Sequence, residues 1–260
     1  MTKRLLWVVA LSLAMAACAE PGQTDLARGN VLASQRKLDQ AAEAYRKAAK
    51  AVPGRARPRE LLGHVLFDQQ KWSEARAAYE EALGVEPAKA LEAEIGLARL
   101  DAEQGNVPGA FDRLGKVLER APENLYARLS RANLAMRRAA EGDARLALDD
   151  TAFAIKVDPA NAAVLYTRGC AFIAARDLVQ AKQAFDQLAL GSPKSPLAPY
   201  GMARAAGAAS DRTEVIHNLR EARSRAKSSP GSWKPAEVRQ DPAFKFMKDD
   251  PDFLKELAEP

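Results

Sequence analysis

Small and aromatic apolar residues recur along this chain at a fixed spacing of 34 positions. In each stretch a glycine is followed by an alanine, an aromatic residue, a second alanine and a proline. The first two sets are Gly29, Ala41, Tyr45, Ala48 and Pro53, and Gly63, Ala75, Tyr79, Ala82 and Pro87. Within a set the alanines and the ring are three or four residues apart, which places them on one face of a helix. The pattern therefore predicts pairs of helices, the second of each pair ending at a proline.

The glycines of this pattern fall inside helices, where glycine costs about 1 kcal/mol relative to alanine. That cost is explained if a neighbouring helix approaches closely at the glycine. We expect the helices of a pair to cross at positions such as Gly63 and Ala75, where both residues are small. The rings of Tyr45, Tyr79 and Phe185 are then expected to fill the gap between successive pairs.

The repeat length, the small residues at the crossing and the closing proline resemble the tetratricopeptide repeat (TPR), a helix-turn-helix unit. The resemblance implies an all-α fold: a right-handed α-solenoid of about six TPR helix-turn-helix units with a C-terminal capping segment. The array is expected at residues 22–227. Its units are placed at 22–55, 56–90, 91–124, 125–161, 162–195 and 196–227. The fit is weaker in the third unit and in the degenerate sixth.

The C-terminal segment 228–260 departs from the repeat. It contains Asp241-Pro242 and Asp250-Pro251, and aspartate before proline is typical of an N-cap followed by the first residue of a helix. Two short helices are expected to begin there and to cover the apolar edge of the last repeat. The side chains available for this are Phe244, Phe246, Met247, Phe253 and Leu254. The segment is interpreted as a cap, with a partner-binding hook as the alternative.

The chain begins with a short basic head and an apolar run ending at Ala17, which as a helix of roughly 20 Å is too short to cross a membrane. Such a start is typical of a cleaved signal, and the small residues before Cys18 resemble a lipobox. The resemblance implies a signal peptide at 1–17, a lipid on Cys18 and a tether at 18–24. Ala19 at the next position implies the periplasmic face of the outer membrane. The alternative is an ordinary secretory signal cut after Ala17 or Ala19.

Composition and motif content argue against an enzyme and against a nucleic-acid partner. The net charge is +5, but the two signs are interspersed and no basic block occurs. Neither His64 nor His217 lies in a metal-ligand spacing, so no metal or other cofactor is expected. Asp149 and Asp150 are interpreted as a solvated helix face. Cys170 is interpreted as a buried structural thiol, with a reactive thiol as the alternative.

In TPR proteins the first helix of each unit lines a concave groove, and the resemblance carries this surface onto the chain. The candidates come mainly from the fifth and ninth places of the units, with others from the second, twelfth and thirteenth. The candidate partner-binding residues are Asn30, His64, Phe67, Arg99, Tyr126, Asn133, Arg137, Tyr166, Tyr200 and Arg204. Arginine and tyrosine often carry the binding energy of protein interfaces.

The resemblance implies a non-enzymatic scaffold that binds a protein or peptide of the cell envelope and is held to the membrane by its N-terminal lipid. Its size, lipidation and repeat number resemble outer-membrane TPR lipoproteins of the type IV pilus pilotin kind, which assist the assembly of a secretin. The alternatives are an adaptor for peptidoglycan or barrel-assembly machinery, an accessory protein that binds a small molecule or glycan, and a structural spacer. A clamp for a terminal carboxylate is not expected, because Leu26 stands where such clamps have a lysine.

Overall fold

The computed structural model describes residues 21–227 and 234–257, which form helices joined by turns and contain no strand. Twelve helices make six consecutive pairs: α1 Gln23–Ser34 and α2 Leu38–Ala51, α3 Arg57–Asp68 and α4 Trp72–Val85, α5 Leu91–Glu103 and α6 Val107–Arg120, α7 Leu125–Arg138 and α8 Asp143–Val157, α9 Ala162–Ala174 and α10 Leu178–Gly191, α11 Leu197–Ala208 and α12 Arg212–Ala226. Three short helices follow: α13 Pro235–Gln240, a 3₁₀ helix Pro242–Met247 and α14 Pro251–Glu256. The predicted all-α class and the TPR-like pairing of consecutive helices are confirmed. The predicted signal peptide and Cys18 lie outside the described residues.

The helices fall into two compact units, which we describe separately. The first unit ends at Pro122 and contains α1 to α6, and the second begins at Glu123 and contains α7 to α14. Within each unit a helix packs against its pair partner, and the second helix of a pair also packs against the first helix of the next. First helices also touch one another: α3 contacts α5 in the first unit, and α9 contacts α7 and α11 in the second.

A buried aromatic ring separates successive first helices. Tyr79 on α4 lies between Gly63 on α3 and Gly96 on α5, and a Cβ added at either glycine would stand 2.6 Å from a carbon of the ring. The second unit repeats the arrangement with Phe185 between Gly169 and Gly201. The predicted filling of the gap is confirmed for these two rings. At Gly63 the three atoms nearest to an added Cβ all belong to the ring of Tyr79.

The turn inside a pair places one residue, and in the fourth pair two residues, in the left-handed region. Five of the pairs use a residue that carries a side chain, with φ between 52° and 63°: Arg36, Gln70, Ala139, Arg176 and Ser210. The fourth pair adds Gly142, with φ 82°. The third pair uses Gly105, with φ 83°. The left-handed conformation costs roughly 1–2 kcal/mol for a residue other than glycine. Five of these turns therefore hold local strain that the packing of the paired helices outweighs.

The C-terminal segment closes the apolar edge of α11 and α12. Asp241 accepts a hydrogen bond from the backbone N–H of Ala243, and Asp250 accepts one from that of Phe253, so the predicted helix starts are confirmed. Of the side chains expected to cover this edge, Phe244, Met247 and Phe253 are buried in the cluster with α11 and α12, and Val238 joins them. Phe246 and Leu254 were also expected to cover this edge, but both side chains are exposed.

The adjacent carboxylates of α8 differ in environment. Asp149 is exposed and pairs with Arg145 one turn away, as expected of a solvated face. Asp150 is buried, and its carboxylate lies 2.8 Å from Nε of Arg131 and 3.0 Å from Nη1 of Arg128. The predicted solvated face is therefore wrong for Asp150, because two arginines of α7 compensate its charge inside the fold.

Candidate functional site

The candidate residues all lie on the first helices of the pairs. We define the first-helix surface of the first unit by Asn30, His64, Phe67 and Arg99, carried by α1, α3 and α5. We define the first-helix surface of the second unit by Tyr126, Asn133, Arg137, Tyr166, Tyr200 and Arg204, carried by α7, α9 and α11. A groove running through all six pairs stays a prediction.

In the first unit, candidate side chains hydrogen-bond to buried tyrosines of the second helices. The hydroxyl of Tyr45 donates to Oδ1 of Asn30 at 2.9 Å, and the hydroxyl of Tyr79 lies 2.8 Å from Nδ1 of His64. The other ring nitrogen of His64, Nε2, is 3.8 Å from the carboxylate of Glu92 on α5. The ninth-place residues of the first two pairs are thus oriented by tyrosines of the second helices.

Burial and nearby charges set the protonation of this cluster. Burial, reinforced by the guanidinium groups of Arg99 and Arg57, lowers the pKa of His64 to about 4. Burial raises the pKa of the Glu60 and Glu92 carboxyls, and the neighbouring arginines partly oppose that rise. At neutral pH the His64 ring is therefore uncharged and accepts or donates as a neutral imidazole.

Arg99 presents a cation at the surface of the first unit. Its guanidinium carbon lies 4.2 Å from the centroid of the Phe67 ring, in the geometry of a cation–π contact. Phe67 is in turn held edge-on by Trp72, with ring centroids 5.1 Å apart. The aromatic ring thus positions the guanidinium of Arg99, whose side chain is exposed.

In the second unit, α7 exposes a large aromatic side chain. Tyr126 is 67% exposed, although tyrosine buries much of its ring in most folded domains. Further along α7, Oδ1 of Asn133 accepts a hydrogen bond from the hydroxyl of Thr167 at 2.7 Å, which ties α7 to α9. Arg137 is exposed one turn later. This part of the second unit offers an aromatic ring, an amide and a guanidinium on one helix.

The remaining candidates of the second unit form a cluster with the C-terminal segment. Nε of Arg204 lies 2.9 Å from Oδ2 of Asp241, and the hydroxyl of Tyr200 donates to the same oxygen at 2.7 Å. Arg204 also donates through Nη1 to Sγ of Cys170 at 2.8 Å. Burial raises the pKa of the Cys170 thiol, which keeps it protonated, as befits a structural cysteine. Two of the predicted partner-binding side chains are thus engaged by a carboxylate of the same chain.

Sequence reasoning missed two residues that lie on or beside the first-helix surface of the second unit. Asp241 was expected only as a helix cap, and it also binds Arg204 and Tyr200. Leu197 was not among the candidates, yet it is 38% exposed at the start of α11. The available signal for Leu197 was its place in the repeat, because it occupies the second position of its unit, as Tyr126 does.

Neither metal ligation nor membrane crossing finds support among the described residues. They contain no group of three or more histidine, cysteine, aspartate or glutamate side chains placed to hold a metal ion. None of the helices within 21–227 and 234–257 combines the length and the hydrophobicity that a membrane crossing requires.

Comparison with known families identifies the repeat. Two models described as tetratricopeptide repeat match the chain, one over residues 26–93 and the other over residues 66–134. The matched stretch extends from α1 to α7, so the TPR assignment made from the spacing of glycines and tyrosines is confirmed there. Repeats of this family generally mediate protein–protein interactions and typically form non-enzymatic scaffolds. None of the curated protein sequences matches this chain.

Solved structures extend the likeness along the chain. A thermophilic TPR protein of Thermus thermophilus is 21% identical, with a TM-score of 0.58 over 67% of this chain and 93% of that one. PilF of Pseudomonas aeruginosa is 17% identical, with a TM-score of 0.60 over 81% of this chain and 92% of its own. PilW, a widely conserved type IV pilus biogenesis factor, is 13% identical, with a TM-score of 0.65 over 80% of this chain and 95% of its own. At these identities the likeness is one of fold.

Proposed function

We propose that this chain is a non-enzymatic scaffold that binds a protein or peptide segment on its first-helix surfaces. We further propose that a lipid on Cys18 anchors it to the outer membrane, facing the periplasm. Its partner is a component of an envelope assembly, such as a type IV pilus secretin. The fold shared with PilF and PilW and the lipobox-like residues before Cys18 support the envelope part of this proposal.

The observation that carries the binding proposal is the exposed guanidinium of Arg99 on the ring of Phe67. Arginine loses little freedom when it binds from a platform of this kind, because the aromatic ring already restricts its rotamers. Tyr126 adds an exposed ring on the surface of the second unit. Arginine and tyrosine are the residue types that most often dominate interface energetics.

The binding test uses alanine variants of the lipidated protein. Membranes are crosslinked and solubilised, and recovered envelope proteins are quantified for wild type, Arg99→Ala and Tyr126→Ala. We expect each variant to recover about fivefold less partner, corresponding to ~1 kcal/mol, with an unchanged melting temperature. Arg145→Ala is the matched control, since Arg145 is an exposed arginine on the second helix α8. Equal recovery for wild type and both surface variants would contradict the proposal.

The anchoring test changes the proposed lipid site. Cys18→Ser is expected to lose metabolic labelling by palmitate and to move from the membrane fraction to the soluble periplasmic fraction. An acyl chain contributes about 0.8 kcal/mol per buried CH₂, so its loss removes the membrane affinity. A Cys18→Ser protein that still sediments with outer membranes would show that another feature holds it there.

A further inference from the structure

A pocket of about 290 Å³ lies on the first-helix surface of the second unit, beside the C-terminal segment. Tyr166 of α9 and Leu197 and Tyr200 of α11 line it. Its lining also includes Lys234, at the start of α13, and Val238 of α13. The C-terminal segment, which was interpreted as a cap with a partner-binding hook as the alternative, therefore also supplies a wall of a concave site.

Several contacts fix this wall in place. Val238 is buried in the cluster that α11 and α12 form with Phe244. The residue after α13 is Asp241, whose carboxylate binds Arg204 and Tyr200. The contacts of Val238 and Asp241 thus hold α13 against α11. The pocket is therefore formed without a ligand.

The lining of the pocket favours an uncharged, apolar ligand group. The hydroxyl of Tyr200 is already donated to Asp241, which leaves the ring to face the cavity. Lys234 and Glu237 neutralise each other at the rim, with Nζ 2.7 Å from the carboxylate. The lining therefore carries no net charge that would attract a charged ligand group, which would still lose hydration on entering the pocket.

The size of the pocket limits the ligand further. A volume of about 290 Å³ lies just below the range for small-molecule sites, which is roughly 300–1,000 Å³. That space suits one large side chain better than a cofactor. Aromatic walls such as Tyr166 and Tyr200 favour another ring through offset or edge-to-face contacts.

We propose that this pocket receives one large apolar side chain, aromatic or leucine-like, from the partner polypeptide. The inference rests on the proposed binding function and deepens it, because it specifies an anchor residue that the partner must carry. The C-terminal segment is then part of the binding site as well as a cap.

The test titrates the full chain with blocked amino acids as probes. N-acetyl-tryptophan amide and N-acetyl-leucine amide are compared with the corresponding lysine and glutamate amides, using the methyl NMR signals of Leu197 and Val238. We expect saturable shifts with millimolar dissociation constants for the two apolar probes, which is ordinary for ligands of this size. The charged probes are expected to bind at least tenfold more weakly. Equal binding of all four probes, or no binding of the apolar pair, would overturn the proposal.

Two variants test whether the probes bind in this pocket. Leu197→Glu is expected to lower the affinity for N-acetyl-tryptophan amide at least tenfold, because it places a carboxylate in the apolar site. The matched control is Leu190→Glu, since Leu190 is 83% exposed at the end of α10 and does not line the pocket. A loss that is equal in both variants would refute the assignment. Because the probes do not depend on the natural partner, a failure here leaves the crosslinking result for Arg99 and Tyr126 to decide the proposed function independently.

Discussion

The ring of Tyr79 should make Gly63 intolerant of even one added carbon. The side chain of Tyr79 is completely buried, and glycines on two different helices face it. A Cβ at Gly63 would stand 2.6 Å from Cδ1 of the ring and closer still to Cε1. Real Cβ atoms essentially never approach another heavy atom so closely. The ring cannot retreat far, because Gly96 brings α5 against it as well.

Two opposing terms determine the effect of Gly63→Ala. Overpacking a close-packed core typically costs about 1–3 kcal/mol, and a ring confined by two helices places this site at the upper end. Alanine regains about 1 kcal/mol over glycine in helix propensity. We therefore expect the free energy of unfolding to fall by about 1–2 kcal/mol. For a domain of this size each kcal/mol lowers the melting temperature by about 2–4 °C.

The assay is urea and thermal unfolding followed by far-UV circular dichroism. Gly84→Ala is the matched control, because Gly84 lies inside α4 with nothing within 4 Å of an added Cβ. That variant should gain up to about 1 kcal/mol. The double variant Gly63→Ala/Tyr79→Leu should lose less unfolding free energy than the sum of the losses in the two single variants. The difference should be at least about 0.5 kcal/mol, because the smaller side chain of leucine relieves the clash. If Gly63→Ala had the same free energy of unfolding as Gly84→Ala, the reasoning would be refuted.

Three further predictions concern a turn, the C-terminal segment and a histidine. Ser210→Gly should raise the free energy of unfolding by up to about 1 kcal/mol in urea denaturation, because it relieves a left-handed serine. Asp241→Asn should lower the free energy of unfolding by about 2–4 kcal/mol and speed amide hydrogen exchange in α13, because it breaks the ion pair with Arg204. The control is Asp252→Asn, at an exposed aspartate, which should change the free energy of unfolding by no more than about 0.5 kcal/mol. The pKa of His64 is about 4 in the folded chain, below its unfolded value, so its contribution to stability is complete above pH 6.5 and is lost as the pH falls toward 4. His64→Gln should therefore flatten the stability–pH curve in that window, by at most about 3 kcal/mol.

The period and the composition of the repeat were sufficient to predict the helices. Gly63 and Tyr79 recur 34 residues after Gly29 and Tyr45, and no strand pattern has that spacing. The same regularity assigned the candidate residues to first helices, because each place in the repeat has a defined position on its helix. Local signals at Asp241 and Asp250 also located two helix starts, since an N-cap is determined by its immediate neighbours.

Contacts between residues far apart in the chain could not be predicted in this way. The pairing of Arg204 with Asp241 depends on the route of the segment after α12, for which the repeat provides no template. The burial of Asp150 depends on two arginines of α7 that reach across to α8. The close approach of the Tyr79 ring to Gly63 depends on side-chain packing, because periodicity places Ala75 and Tyr79 on the same helix face.

The C-terminal segment changes which side chains a partner can use in the second unit. Arg204 and Tyr200 occupy groove positions of the repeat, but Asp241 already forms an ion pair with Arg204 and accepts a hydrogen bond from Tyr200. A competing carboxylate would have to displace the segment that carries Asp241. Such a displacement would also uncover the apolar cluster around Phe244, and the cost of that exposure opposes it. A partner therefore gains more from the surfaces that remain open. In the second unit these are the ring of Tyr126 and the pocket beside Leu197, where burial of an apolar side chain requires no internal contact to break.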